Sequence, residues 1–311
     1  MRRISQFLVI LLPFLCARLC AQELPSFVDS PLAQAMGEGD KAALLMVHFG
    51  TTFDDTRART IDAVNEKART TFPQLEVREC YTSRIILRRL DKKGVHKLTP
   101  IEAMMQLRAE GYTHLIVQST NVIDGMEMES LRRDVERMES FFKEVRVGKP
   151  LLYSVDDALK VVDILAERHP ANAKKHEHVL FIGHGTETPA TALYSELDYM
   201  FRDNGHDNCH VGTIEGYPTF DTALRKLKLA KAKKVTLVPL MFVAGDHAAN
   251  DISKEWKEQL EKEGFKVELH IEGLGEVPEI QDIYIDHIGF LLNHRLRPVM
   301  EKKNIYSHQK D

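Results

Sequence analysis

Three side chains in the second half of the chain could act together on a metal ion or a proton: His184, Glu215 and His247. Each follows an apolar run. Val179–Ile182 leads into Gly183-His184-Gly185-Thr186, His210–Ile214 into Glu215-Gly216-Tyr217-Pro218, and Val235–Leu240 into a loop holding Gly245-Asp246-His247. Continuous apolar runs of this length read as strands buried on both faces, as in a parallel sheet. Ligands bind at the carboxyl ends of such strands. The glycines around His184 allow a tight turn and close approach to the backbone. Two imidazoles with one or two carboxylates suit a divalent ion such as Co²⁺, Fe²⁺, Ni²⁺ or Zn²⁺, whereas Mg²⁺ prefers oxygen and water. The same groups can act as bases near neutral pH. Singly, each has a structural reading: a turn histidine, a cap for the following turn, one loop histidine among 14. Three at successive strand ends point to chemistry.

Positioning them requires alternating strands and helices. In the first half the pattern predicts strands over 42–49, 75–81, 114–119 and about 151–153, with helices over 54–71, 84–93, 99–110, from about 130 to 143, and 155–168. Thr99-Pro100-Ile101-Glu102 combines a capping box with proline at the first helical position. In the second half, strands at the three runs above and over 266–271 alternate with helices over 190–201, 219–230, up to 263, and 278–293. Such alternation implies an α/β fold with parallel sheets and right-handed crossovers. The predicted layout is a polar arm over 22–40, a first lobe over 41–170 and a second over 171–311.

The halves resemble each other. Leu45–Thr51 lies over Leu180–Thr186, with Phe49 in the place of His184. Val122–Glu127 lies over Phe242–His247, with Glu127 in the place of His247. Two open lobes with helices on both faces would bring their strand ends around one cleft, where ligand sites concentrate. Glu127 and Tyr81, each near a first-lobe strand end, are candidates for its other wall. The basic run Arg84, Arg88, Arg89, Lys92 and Lys93 reads as a solvated helix face or a partner for an acidic ligand. His206 and His210 read as solvated loop residues.

The 311 residues are 43% hydrophobic and 28% charged with formal net charge -4, so nothing suggests a nucleic-acid partner. Arg2 and Arg3, the apolar run Phe7–Leu15 and Cys20-Ala21-Gln22 form the pattern of a secretory signal peptide cut after Ala21. The run is too short to span a bilayer, and no transmembrane span is expected in the mature protein. Losing residues 1–21 removes three arginines and no acid, which takes the charge from -4 to -7. Export to the periplasm is the expectation, with a lipid anchor at Cys16 or Cys20 as the alternative. Cys80 and Cys209 remain, with their pairing open. There is no GxSxG, GxGxxG, P-loop or CxxC, so no serine nucleophile, nucleotide or thiolate metal site is expected.

Together the Gly183–Thr186 turn, Gly212–Pro218, Val238–Asp251 and the opening Phe49-Gly50-Thr51-Thr52 with Thr56-Arg57 resemble the anaerobic sirohydrochlorin cobalt chelatases of the CbiK type, class II chelatases related to ferrochelatase. The likeness spans about residues 41–295. It implies a bilobal, ATP-independent enzyme in which His184, Glu215 and His247 hold the incoming ion, Co²⁺ first with Fe²⁺ or Ni²⁺ as alternatives. Sirohydrochlorin would lie between the lobes and lose its pyrrole protons to a histidine or the glutamate. Many members carry histidine where this chain has Asn121, so the first-lobe wall is altered. That change, with export, keeps two other readings in view: a haem-binding or iron-removing protein for haem uptake, and a non-catalytic metal or tetrapyrrole carrier. Homo-oligomerisation is left open.

Overall fold

Residues 26–245 and 248–308 are described in this computed structural model. The expected leader and His247 lie outside them. Packing separates a large unit, Ser30–His294, from a small one that joins the residues before Ser30 to those from Arg295 onward.

The chain enters through β1 (Phe27–Asp29) and α1 (Leu32–Ala35). Leu32 is buried, and the Ser30 N–H donates to the Asn293 carbonyl at 2.7 Å, so this end of the expected loose arm is anchored. The first sheet contains β2 (Ala42–His48), β3 (Glu76–Tyr81), β4 (His114–Ser119) and β5 (Glu144–Val147), ordered β3-β2-β4-β5 and parallel throughout. Its connections are α2 (Asp54–Arg57), continued through a π-helical stretch into α3 (Ala63–Thr71), then α4 (Arg84–Asp91), α5 (Pro100–Ala109) and α6 (Met126–Met138). The capping box at Thr99 and Glu102 forms as predicted. After β5 comes α7 (Val155–Arg168).

The second sheet repeats the plan. β6 (Glu177–Gly183), β7 (Cys209–Thr213), β8 (Lys234–Leu240) and β9 (Lys266–Leu269) are ordered β7-β6-β8-β9, again parallel. The helices are α8 (Ala192–Asp203), α9 (Phe220–Leu229), α10 (Lys257–Lys262) after a π-helical stretch over Ala248–Trp256, and α11 (Pro278–Asn293). β10 (His294–Leu296) pairs with β1 and leads to α12 (Val299–His308), a helix the sequence pattern did not predict.

Strand side chains alternate between faces, and the core follows that alternation. Leu44 and Met46 of β2 share one apolar cluster with Val179 and Phe181 of β6 and Val238 and Leu240 of β8. Ala43, Leu45 and Val47 face a separate first-lobe cluster, and Leu180, Ile182, Val235 and Leu237 a separate second-lobe one. The shared cluster fuses the lobes. The closing helices cross between them: α7 packs against α8, and α11 against β4 and α3.

Three expectations need correction. The fourth strand of the first sheet is Glu144–Val147, not 151–153, and α6 stops at Met138. Only two of its four residues are apolar. Buried Arg146 anchors it, donating to the carbonyls of Ser30 at 2.7 Å and Leu291 at 2.6 Å. His210 is not solvated. It is buried in β7, with its Nε2 3.0 Å from Nδ1 of His178. Cys80 and Cys209 are both free and buried, on β3 and β7 of different lobes.

Candidate metal-handling site

The Gly-His-Gly turn at the end of β6 is fixed by what surrounds it. A side chain at Gly183 would stand 2.2 Å from the Tyr194 ring. Gly185 has φ +89°, and a Cβ there would stand 1.4 Å from the Glu215 carbonyl oxygen, so no other residue fits. The Tyr194 hydroxyl accepts from the Gly185 N–H at 3.3 Å. His184 is half-buried at the strand's carboxyl end, its Nδ1 3.3 Å from the Gly185 carbonyl. That contact favours the tautomer with the proton on Nδ1 and the lone pair on Nε2, the form that ligates a metal or accepts a proton.

Glu215 follows β7 on the neighbouring strand. Its N–H donates to the His184 carbonyl at 2.8 Å, and the Ile214 N–H to the Gly183 carbonyl at 3.0 Å, which extends the ladder past both strand ends and brings the two residues side by side. The Glu215 side chain is exposed. Gly216, with φ +91°, turns the chain against Thr186 and Thr191. The third expected ligand, His247, lies outside the described residues. Its loop is described up to Gly245, where a methyl group would come 3.9 Å from Thr51 Oγ1.

The first lobe repeats this backbone with other side chains. The Thr82 N–H donates to the His48 carbonyl at 2.9 Å and the Ser83 N–H to the Phe49 carbonyl at 3.2 Å. Gly50, φ +99°, takes the place of Gly185. Phe49 therefore occupies the position of His184, as the repeat predicted, and Ser83 that of Glu215. A methyl on Gly125 would lie 3.4 Å from Thr186 Oγ1, the mirror of the Gly245–Thr51 approach. These paired approaches bring the carboxyl ends of the two sheets close to each other.

The remaining candidates fall unevenly. Glu127 sits in the first turn of α6, and its Oε2 accepts from the Thr82 hydroxyl at 2.7 Å. Asn121 is half-buried and its Nδ2 is a buried donor with no partner among the described residues. Tyr81 does not line the edge. It is wholly buried beneath Gly50, whose missing Cβ would stand 2.5 Å from its ring. Its strand position put it near the edge, but side-chain direction sends it into the core. Burial raises its pKa well above the ordinary tyrosine value.

Sequence reasoning passed over two further groups. Large apolar side chains stand exposed around the edge: Phe49 and Phe53 after β2, Met126 after β4, and Tyr217 after β7. Among the described residues, the one cluster of three potential metal ligands is His169, His270 and Glu272. Its members are scattered in sequence and only the sheet brings them together.

The model of the cobalt chelatase (CbiK) family matches residues 42–292. The chain is 34% identical over 258 residues to the sirohydrochlorin cobaltochelatase of Salmonella typhimurium, covering 81% of this chain and 97% of the relative. It is also 34% identical over 254 residues to the sirohydrochlorin cobaltochelatase CbiKC of Nitratidesulfovibrio vulgaris, covering 80% and 89%. Among solved structures, SirB from Bacillus subtilis with Fe³⁺ superposes with a TM-score of 0.58 at 15% identity, covering 81% of this chain and 96% of the other. The sirohydrochlorin chelatase SirB from Bacillus subtilis subspecies spizizenii in complex with cobalt gives 0.54, also at 15% identity, covering 81% and 95%. The bilobal parallel-sheet architecture is thus that of the class II chelatases, and the chain belongs to the CbiK cobalt chelatase family.

Proposed function

We propose that this protein is a sirohydrochlorin cobaltochelatase acting without a nucleotide. The observation that carries this reading is the Gly183-His184-Gly185 turn, with Glu215 joined to it by the N–H to His184 carbonyl bond. Inserting Co²⁺ into the macrocycle replaces two pyrrole N–H protons. The chain must therefore hold the ion, hold the ring, and accept protons. His184 presents a nitrogen lone pair, and Glu215 a carboxylate beside it. By the family resemblance His247, which follows β8 in sequence, would complete a set of borderline softness suited to Co²⁺. As the ion transfers, the His184 imidazole and Glu215 carboxylate it leaves can accept the released protons. Phe49, Met126 and Tyr217 offer exposed apolar surface to a flat macrocycle. Arg84, exposed in the first turn of α4 just past β3, is placed for one of its peripheral carboxylates.

The test is anaerobic mixing of mature protein with sirohydrochlorin and Co²⁺, followed by absorption. An absorption change faster than the protein-free reaction is expected, and a rate equal to that background overturns the reading.

The reading extends to location. The basic start and apolar run of residues 2–15 support export and cleavage after Ala21. No described helix is long and apolar enough to cross a membrane. Fractionation of cells making a C-terminally tagged full chain should place it in the periplasm with Gln22 at its N-terminus. Uncut chain in the cytoplasm would refute export.

A further inference from the structure

A second cluster with metal-ligand chemistry lies where α7 ends beside the loop that follows the outer strand of the second sheet. His169 caps the end of α7 and is buried, its ring edge-on to Phe181 at 5.7 Å and to His270 at 4.7 Å. His270 is the first residue after β9, pinned by its N–H to the Leu237 carbonyl at 2.9 Å. Its Nε2 is 3.3 Å from Glu272 Oε2. One ligand atom from each of the three residues lies within 4.8 Å of the others. We propose that His169, His270 and Glu272 form a second binding site for a first-row divalent ion, separate from the one at His184.

The donor set fits such an ion. Two imidazoles and one carboxylate suit Co²⁺, Ni²⁺ or Zn²⁺ rather than Mg²⁺ or Ca²⁺. Bonds of about 2.0–2.2 Å require the donors to close somewhat, and His270, half-exposed on its loop, can turn inward to do so. Arg168 orients the carboxylate, its Nε 2.7 Å from Glu272 Oε2 and its Nη2 2.5 Å from Oε1. Oε1 keeps a second lone pair, and such outer partners are usual for ligating carboxylates. Three protein ligands leave positions for water, the arrangement of an exchangeable ion rather than a closed structural one.

The site belongs to the second lobe alone. In the first sheet the ladder position of His270 is taken by Gly148, whose N–H donates to the Val117 carbonyl at 2.7 Å. A side chain there would stand 2.0 Å from Gln118 Oε1. The loop carrying His270 and Glu272 is tied to the one leading toward His247: the Leu274 N–H donates to the Met241 carbonyl at 2.8 Å and the Gly275 N–H to that of Phe242 at 2.9 Å. An ion held here would steady that loop.

Calorimetric titration of metal-free mature protein with Co²⁺ alone tests the proposal on four forms. The parent should take up two equivalents, H270A one, H184A one, and the double variant none. His270 is exposed, so H270A should fold normally, which circular dichroism verifies. A parent that binds a single equivalent abolished by H184A overturns the proposal, as does H270A retaining the parent's stoichiometry and affinities. The H184A arm reports on the chelatase site independently.

Discussion

The ends of β2 and β6 are the same backbone carrying different chemistry. In the first lobe the last strand residue is His48, followed by Phe49 and Gly50. In the second it is Gly183, followed by His184 and Gly185. One position decides the fate of an imidazole. His48 points inward, fully buried, with Nδ1 3.0 Å from Thr120 Oγ1 and Nε2 3.0 Å from Asn65 Oδ1. His184 lies one residue further, past the strand, where the chain turns on a glycine at φ +89°. Both nitrogens of the first are committed to holding the core, while the second stands at the edge beside Glu215. A repeated lobe thus carries a buried imidazole on one side and an imidazole at the sheet edge on the other without changing its hydrogen-bond ladder.

The sharpest way to break this contrast is to exchange its terms. H184A should lower chelation turnover by about 10²-fold or more, the scale of a lost base or ligand, whereas F49A should mainly raise KM for the macrocycle. Steady-state absorption kinetics separates the two, and equal effects would erase the distinction between lobes. G185A and G50A probe what the lobes share. Each forces a side chain into left-handed backbone against a neighbour 1.4 Å or 2.5 Å away, at a cost of at least about 1–3 kcal/mol. Urea unfolding should show comparable losses for both, with activity of the folded fraction lost only in G185A.

Smaller effects attend His48. H48A leaves Asn65 and Thr120 with lost partners and should destabilise by about 1–3 kcal/mol, with turnover per folded molecule kept. Burial lowers its folded pKa from 6.5 to about 4. The unfolded chain therefore binds the extra proton first, so this contribution to stability is complete above pH 6.5 and is lost as pH falls toward 4. Urea midpoints for the parent should fall over that window more steeply than for H48A. The least expected change is at the cysteines. Burial raises the Cys80 thiol pKa and brings that of Cys209 to about 12, so neither should react with a thiol reagent until the protein unfolds. Rapid labelling of native protein would contradict their placement.

Much of this was legible because local signals agreed with the fold. The β6 run, the box at Thr99, and Pro278 opening α11 all appear where the pattern put them. The Phe49–His184 register was readable from two short segments. What failed did so for want of distant partners. β5 is held by an arginine reaching the start of α1 and the end of α11, and nothing in Glu-Val-Arg-Val announces that. His210 looked solvated because its stacking partner, His178, is one strand over.

By itself the sequence determined the alternating elements, the family, and the glycine-flanked histidine, because apolar runs, turn glycines and caps act over a few residues. Only the tertiary structure decided that Tyr81 is core, that Cys80 and Cys209 are buried and unpaired, and that His169, His270 and Glu272 meet. Side-chain direction and the register between strands fix those outcomes, and both depend on contacts far apart in the chain.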